Sequence, residues 1–250
     1  MIGNMSVFLT AEWRKLIIVQ YEVAPKKLAP YLPKGLELDL YQGQCFVSLV
    51  AFLFDRVRVK GFAVPGHTSF EEINLRFYVR RREDDGSVKR GVVFIREFVP
   101  RRVIAWVAKR FYEEPYVAVP TSHKFGAKKD LVFARYAWQM GGRVHSLTAS
   151  GYAPAQEIAA GSHEEFITEH YWGYTRRSDG STSAYQVEHP RWETYRLQSY
   201  EIAVDFATLY GEEFGFLTDQ LVSSVLLAEG SAVTVHSGAR LQITPAGLPA

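Results

Sequence analysis

Between residues 72 and 80 the chain alternates without a break. Ile73, Leu75, Phe77 and Val79 are apolar, and Glu72, Asn74, Arg76, Tyr78 and Arg80 stand between them. A repeat of two sets successive side chains on opposite faces of an extended chain. The stretch is therefore a strand with one wholly apolar face, which needs a covering layer, and one polar face. In an open sheet that polar face meets water; in a closed sheet it faces a cavity. Asp84-Asp85-Gly86-Ser87 then turns the chain, and Val92–Ile95 returns as the next strand.

The same pattern recurs along the chain. Leu36–Leu40 alternates, Tyr41–Gln44 turns, and the apolar run Cys45–Phe54 reads as the second arm of a hairpin. Further strands are expected at Asp130–Met140, Arg143–Tyr152, Thr182–Glu188 and Tyr195–Val204. A closing hairpin, Val222–Ala228 with Ala232–His236, would turn at Glu229-Gly230-Ser231. Helices are few: Pro25–Leu32 between prolines, Arg101–Phe111 with one apolar face, and a capping-box pattern at Ser162–Glu165 opening a helix through Glu169. Many strands and few helices predict an α+β chain on a large, largely antiparallel sheet able to close into a barrel. No Pro/Gly/Ser linker divides the 250 residues, so one domain over 1–250 is expected.

Charge narrows the function classes. Lys and Arg total 29 against 27 Asp and Glu, too balanced for a basic nucleic-acid binder. Residues 76–143 hold 16 basic against 7 acidic side chains, and 144–250 hold 5 against 13. The basic half reads as a solvated arginine face or as an attractor of anions. Cys45, the single cysteine, lies in an apolar run where a thiol acts as a small hydrophobe. The longest apolar run is half a membrane span, and no secretory leader opens the chain, so a cytoplasmic location is expected. Aromatic residues reach 14%, which points to a thick core, an enclosed pocket or both. Eight of them fall between Phe166 and Tyr200.

No glycine-rich nucleotide loop, zinc pattern, His-Glu-x-x-His or Gly-x-Ser-x-Gly motif occurs. Neither a metal nor a cofactor is expected. The candidate residues are scattered. Asn74 and Arg76 share the polar face of their strand, and a cavity-facing Arg76 would bind oxyanions bidentately. Arg96 falls in step with Val92, Phe94 and Phe98, so on a buried face it must be paired or cavity-lining. Glu97, Glu114 and Tyr116 could move protons; alternatively Glu97 pairs with an arginine and Glu113–Tyr116 is a polar helix exit. His170, Tyr174, Tyr185 and His189 offer polar tips within the aromatic cluster, which otherwise reads as core and rim.

Several stretches resemble the YqjF-like family of conserved bacterial proteins, a domain of unknown function. They are Glu72–Val79, Phe94–Arg102, Glu113–Val117, Glu169–Thr175, Val187–Trp192 and Ser223–Ser231. The resemblance implies the acetoacetate decarboxylase-like superfamily, whose fold is a cone-shaped, largely antiparallel β-barrel with a few peripheral helices. Acetoacetate decarboxylase forms a Schiff base on a lysine activated by an adjacent lysine, after a Gly-x-Pro motif. The comparable stretch here reads Glu114-Pro115-Tyr116-Val117, and tyrosine cannot form an imine.

Three readings follow. In the first, the barrel binds a small, carboxylate-bearing molecule at Asn74, Arg76, Arg96, His170, Tyr174, Tyr185 and His189, with Glu97, Glu114 and Tyr116 available for non-covalent acid–base chemistry. In the second, another lysine such as Lys109 or Lys124 serves as the Schiff base of a decarboxylase, aldolase or dehydratase; the pair Lys128-Lys129 reads as a surface turn. In the third, the protein is a scaffold, and its exposed aromatics favour self-association into a homo-oligomer. Nucleic-acid and membrane partners are not expected. Whether the protein is an enzyme is left open at this level.

Overall fold

The computed structural model describes residues 6–106 and 113–242. Along the chain run β1 (Val7–Glu22), α1 (Pro25–Leu28), β2 (Glu37–Leu38), β3 (Phe46–Val59), β4 (Phe70–Arg82) and β5 (Val88–Val99). A helix over 102–106, called α2, precedes β6 (Tyr116–Ala118), β7 (Thr121–Lys128), β8 (Leu131–Met140) and β9 (Arg143–Glu157). Then come α3 (His163–Thr168), β10 (Trp172–Arg176), β11 (Thr182–Glu188), β12 (Glu193–Ala203), α4 (Phe206–Tyr210), β13 (Ser224–His236) and β14 (Ala239–Arg240).

The strands join in the order β11-β10-β5-β4-β3-β1-β13, and β13 pairs back to β11 through Val187 with Val235 and Glu188 with Thr234. That last pairing closes a hydrogen-bonded ring. Its ladders are antiparallel except where β10 runs parallel to β5. From β13 the sheet also continues through β12, β9, β8 and β7. This extension folds over the outer face of the ring, where Ala134, Tyr136, Trp138, Leu147 and Ala149 meet Ile73, Leu75, Phe77 and Val79. The apolar face of β4 thus finds its covering layer. A second cluster, with Leu16, Ile18, Val50, Phe52, Phe54 and Trp192, fills part of the ring interior. Each fully buried large apolar side chain contributes roughly 2–3 kcal/mol. No described helix is long and apolar enough to cross a membrane.

Local chemistry explains the elements. Ser162 Oγ accepts from Glu165 N at 3.1 Å and opens α3 as its cap. Pro25 starts α1, which tightens into a 3-10 turn over Ala29–Tyr31, so the expected helix is present in two geometries. Helix α2 fulfils the start of the Arg101–Phe111 expectation; residues 107–111 of it lie outside the described residues. Cys45 is buried, and desolvation lifts its thiol to about 11, which keeps it inert.

Two strands lie where none was expected, and two expected turns need correction. Residues 7–22 form one strand that periodicity does not reveal. Lys15 takes a left-handed φ of 55°, and the register against β3 shifts between Arg14 and Ile17. Leu16, Ile17, Ile18 and Val19 are buried in succession because both faces of β1 are covered. The tight turn at Tyr41–Gln44 exists, but its arms diverge. Glu37 and Leu38 pair with Arg80 and Val79 of β4, the stretch that lies past the end of its ladder with β3. Residues 121–128 form strand β7 rather than a loop, turning at Lys129 into β8. Finally, Glu229-Gly230-Ser231 is no turn: β13 runs straight through it, with Arg14 opposite Gly230 and Trp13 opposite Ser231.

Gly230 holds φ +83°, and a Cβ there would collide with the Trp13 carbonyl oxygen. Replacing Gly230 by alanine is therefore expected to remove about 3 kcal/mol in urea unfolding. Gly43→Ala, at the same φ but with open space around it, should lose only about 1 kcal/mol.

Candidate functional site

The alternation of β4 carries Glu72, Asn74 and Arg76 into the ring, while their odd-numbered neighbours join the outer core. Next to them, β5 contains one extra residue. Arg76 lies opposite Phe94 but Leu75 lies opposite Arg96, so Ile95 is bulged out of the ladder. The bulge reverses the facing of everything after it. Val92, Phe94 and Glu97 point inward, and Arg96 and Phe98 point outward. Strand β6 then runs parallel to the end of β5, with Tyr116 opposite Glu97 and Glu114 just before it.

Three carboxyl groups consequently meet in one buried place. Glu72 accepts from Tyr116 Oη at 2.9 Å and from Asn74 Nδ2 at 3.0 Å. Glu114 accepts from Tyr185 Oη at 2.6 Å. Tyr185 can lie across β10 because its ladder partner is Gly173, where a Cβ would strike the tyrosine ring. None of Glu72, Glu97 and Glu114 has a lysine, arginine or histidine within ion-pair distance among the described residues. Burial lifts Glu72 to about 7, against the downward pull of its two hydrogen bonds and of Arg76. Burial, with some repulsion from Glu72, lifts Glu114 to about 8. Glu97 rises well above the carboxylate range through burial and then the charges of Glu114 and Glu72. The phenol of Tyr116 is raised too, chiefly by burial, and stays a donor.

Beyond the carboxyl cluster sits a basic group of different character. Arg76 has no ion pair among the described residues; its guanidinium stands 5.9 Å from the ring of Tyr78. His170 packs on the same ring at 4.7 Å. Its Nε2 lies 3.1 Å from Asp39 Oδ2, which also accepts from Arg90 Nε at 2.6 Å. Desolvation drops His170 to about 4, despite Asp39. His189 stacks on Trp192 at 4.4 Å and is likewise lowered by burial. Near neutrality both imidazoles are uncharged.

These residues line a cavity of about 200 Å³ whose remaining walls are mostly apolar, with Trp13, Val50, Phe52, Phe54 and Phe70 among them. Among the described residues no lysine lines it. Lys124 is exposed on β7, Lys128 and Lys129 are exposed at the β7–β8 turn, and Lys109 lies outside the described residues. No group of three His, Cys, Asp or Glu among the described residues is arranged to hold a metal ion.

The cavity gathers Asn74, Arg76, Glu97, Glu114, Tyr116, His170, Tyr185 and His189. Two expected residues are elsewhere. Arg96 is turned outward by the bulge and donates to the Leu209 carbonyl. Tyr174 is buried in the outer core, with Oη 3.4 Å from the Lys89 carbonyl. Sequence reasoning missed Glu72, although it shares the polar face with Asn74, and Asp39, whose partners lie 51 and 131 residues away.

The chain matches the profile of DUF2071, described as "Uncharacterized conserved protein (COG2071)", over residues 10–232. It is 31% identical over 125 residues to the "Uncharacterized protein YqjF" of Bacillus subtilis (strain 168), a match over 49% of this chain; the chain spans 50% of that relative's length. Acetoacetate decarboxylase of Legionella pneumophila has a similar structure, with TM-score 0.62 and 13% identity over 95% of this chain and 88% of that one. An acetoacetate decarboxylase-like enzyme from Sphingomonas wittichii RW1 gives TM-score 0.63 and 11% identity over 95% and 94%. The enduracididine biosynthesis enzyme MppR complexed with pyruvate gives TM-score 0.62 and 14% identity over 96% and 92%. At such identities the likeness is one of fold.

The carboxyl cluster predicts a pH signature. Below the usual carboxylate range both folded and unfolded chains hold these protons. As pH rises through that range the unfolded chain releases them first, so each raised carboxyl costs stability that grows until its own titration is passed and remains lost above it. His170 and His189, held neutral, act oppositely at lower pH. Glu97→Gln removes one raised carboxyl. Its melting temperature should exceed that of the parent by a few degrees near pH 8 and match it near pH 4.5, read by calorimetry across that range.

Proposed function

The chain belongs to the DUF2071 family, and we propose that its ring is a chamber that binds a small carboxylate-bearing organic molecule and moves a proton on it without a covalent adduct. The observation that carries this reading is Arg76, a permanent cation lining a mostly apolar cavity with no carboxylate of the described residues in ion-pair range. A half-buried charge of that kind attracts an anion, and a guanidinium takes a carboxylate through two parallel hydrogen bonds. At neutral pH Glu97 and Glu114 favour their protonated forms, so the cluster offsets the guanidinium only in part, through Glu72.

Glu114 and Glu97 are the proton carriers. A carboxyl lifted to about 8 gives up a proton near neutrality and takes it back readily, which suits acid–base work at a carbon or oxygen of the ligand. Tyr116 and Tyr185 donate hydrogen bonds to the carboxyls and keep them oriented. MppR, a neighbour in fold, has been solved with pyruvate, itself a small carboxylate. The proposal places the protein in a bacterial cytoplasm, where Cys45 stays reduced.

Two experiments test this. Calorimetric titration with butyrate and pyruvate should show binding that Arg76→Met weakens by about tenfold or more. Loss of all binding in the parent would favour the scaffold reading. Borohydride treatment with pyruvate or acetoacetate should leave the protein mass unchanged; an adduct on a lysine would replace the non-covalent mechanism with an imine one. With pyruvate in deuterated water, Glu114→Gln should slow exchange at the methyl carbon by about 100-fold, followed by proton NMR.

A further inference from the structure

Among the described residues the three buried carboxyls have no counter-cation. Asn74 Oδ1 and Glu97 Oε2 have no hydrogen-bond partner among the described residues either, and both residues are only 1% exposed. Asn74 and Glu97 are ladder partners on adjacent strands, so the two unmet acceptors belong to one spot on the cavity wall. In the empty cavity the proton on Glu97 serves as donor at this spot, and a ligand bringing donors of its own can take its place. No metal grouping is formed there by the described residues. A neutral hydroxyl would bring a single donor and no charge to stabilise an ionised carboxylate. An ammonium brings three donors and a positive charge that lets a carboxyl of the cluster ionise.

Building on the chamber reading, we infer that the ligand carries a protonated amine as well as a carboxylate, with the ammonium seated among Glu72, Asn74, Glu97 and Glu114 and the carboxylate on Arg76. Same-face neighbours on a strand are about 7 Å apart, and Arg76 is the next inward residue after Asn74. That spacing fits an amine and a carboxylate separated by several carbons, with the apolar walls covering the chain between them. The carboxyl cluster is protonated when empty, so a cationic amine displaces a proton. Seating the ammonium ionises a carboxyl, and that proton passes to the buffer.

The test uses matched pairs that differ only in the amine: β-alanine with propionate, γ-aminobutyrate with butyrate, and 5-aminovalerate with valerate. Titration calorimetry near pH 7 in buffers of different ionisation enthalpy counts the protons released. The expected result is that at least one amine member binds about tenfold or more tighter than its partner, with release of roughly one proton. Glu97→Gln should bring that ratio towards one, whereas Arg76→Met should weaken both members and keep the ratio. Equal binding of each pair without proton release, or binding of the deaminated members alone, overturns the amine and leaves the chamber standing. Binding by no member of any pair overturns the chamber, and the amine with it. Should Glu97→Gln fail to fold, proton release by the parent protein decides.

Discussion

Everything distinctive about this protein depends on a short pairing between the end of β11 and the end of β13. Without it the sheet is open and the polar face of β4 is wetted, so Glu72, Asn74 and Arg76 become ordinary solvated side chains. With it the sheet has an inside. Water is replaced by aromatic and aliphatic walls, and charge becomes expensive there. The raised carboxyls and the lowered histidines are consequences of that enclosure more than of any particular neighbour, since burial is the leading cause for each. The outer layer of β7, β8, β9 and β12 serves the same end indirectly, because it covers the far face of β4 and so holds that strand in one register.

The interior is divided electrically. At one end, carboxyls crowd together, oriented by phenols and an amide. At the other, a guanidinium stands beside neutral imidazoles, one of them fixed by Asp39. The two ends do not form ion pairs with each other, although Arg76 and Glu72 project from the same strand. In a small enclosed space such unspent polarity is unusual; structural ion pairs elsewhere in the chain, such as Arg90 with Asp39, are closed at short range.

How far this was legible from residue order can be followed strand by strand. The alternation at 72–80 sufficed for β4 and for two of its cavity residues, because both of its faces keep strict parity. The capping box sufficed for α3. The fold class followed from strand frequency, and the family likeness supplied a closed form that periodicity left open. What escaped were places where parity breaks or partners are remote. Lys15 interrupts β1, and the run of buried residues after it carries no period. Arg96 was assigned to the wrong face because counting in twos from Val92 does not register a bulge at Ile95. Tyr174 and Tyr185 look alike in an aromatic-rich stretch; only the opposition of Tyr185 to Gly173 separates the inward ring from the outward one. Asp39 is invisible as a histidine partner because nothing local links it to His170.

The bulge at Ile95 acts as a phase switch. Downstream of it, inward and outward trade places along β5, and Glu97 rather than Arg96 faces the cavity. Flattening the bulge with no change of length would set Ile95 opposite Leu75 and Arg96 opposite Asn74, and so bring an arginine inside in place of an acid with the composition unchanged. The chemical polarity of the cavity is thus set by how a strand is paired as well as by its letters. Among related chains, then, gain or loss of this one bulge can invert the charge of the site while substitution counts barely register the change.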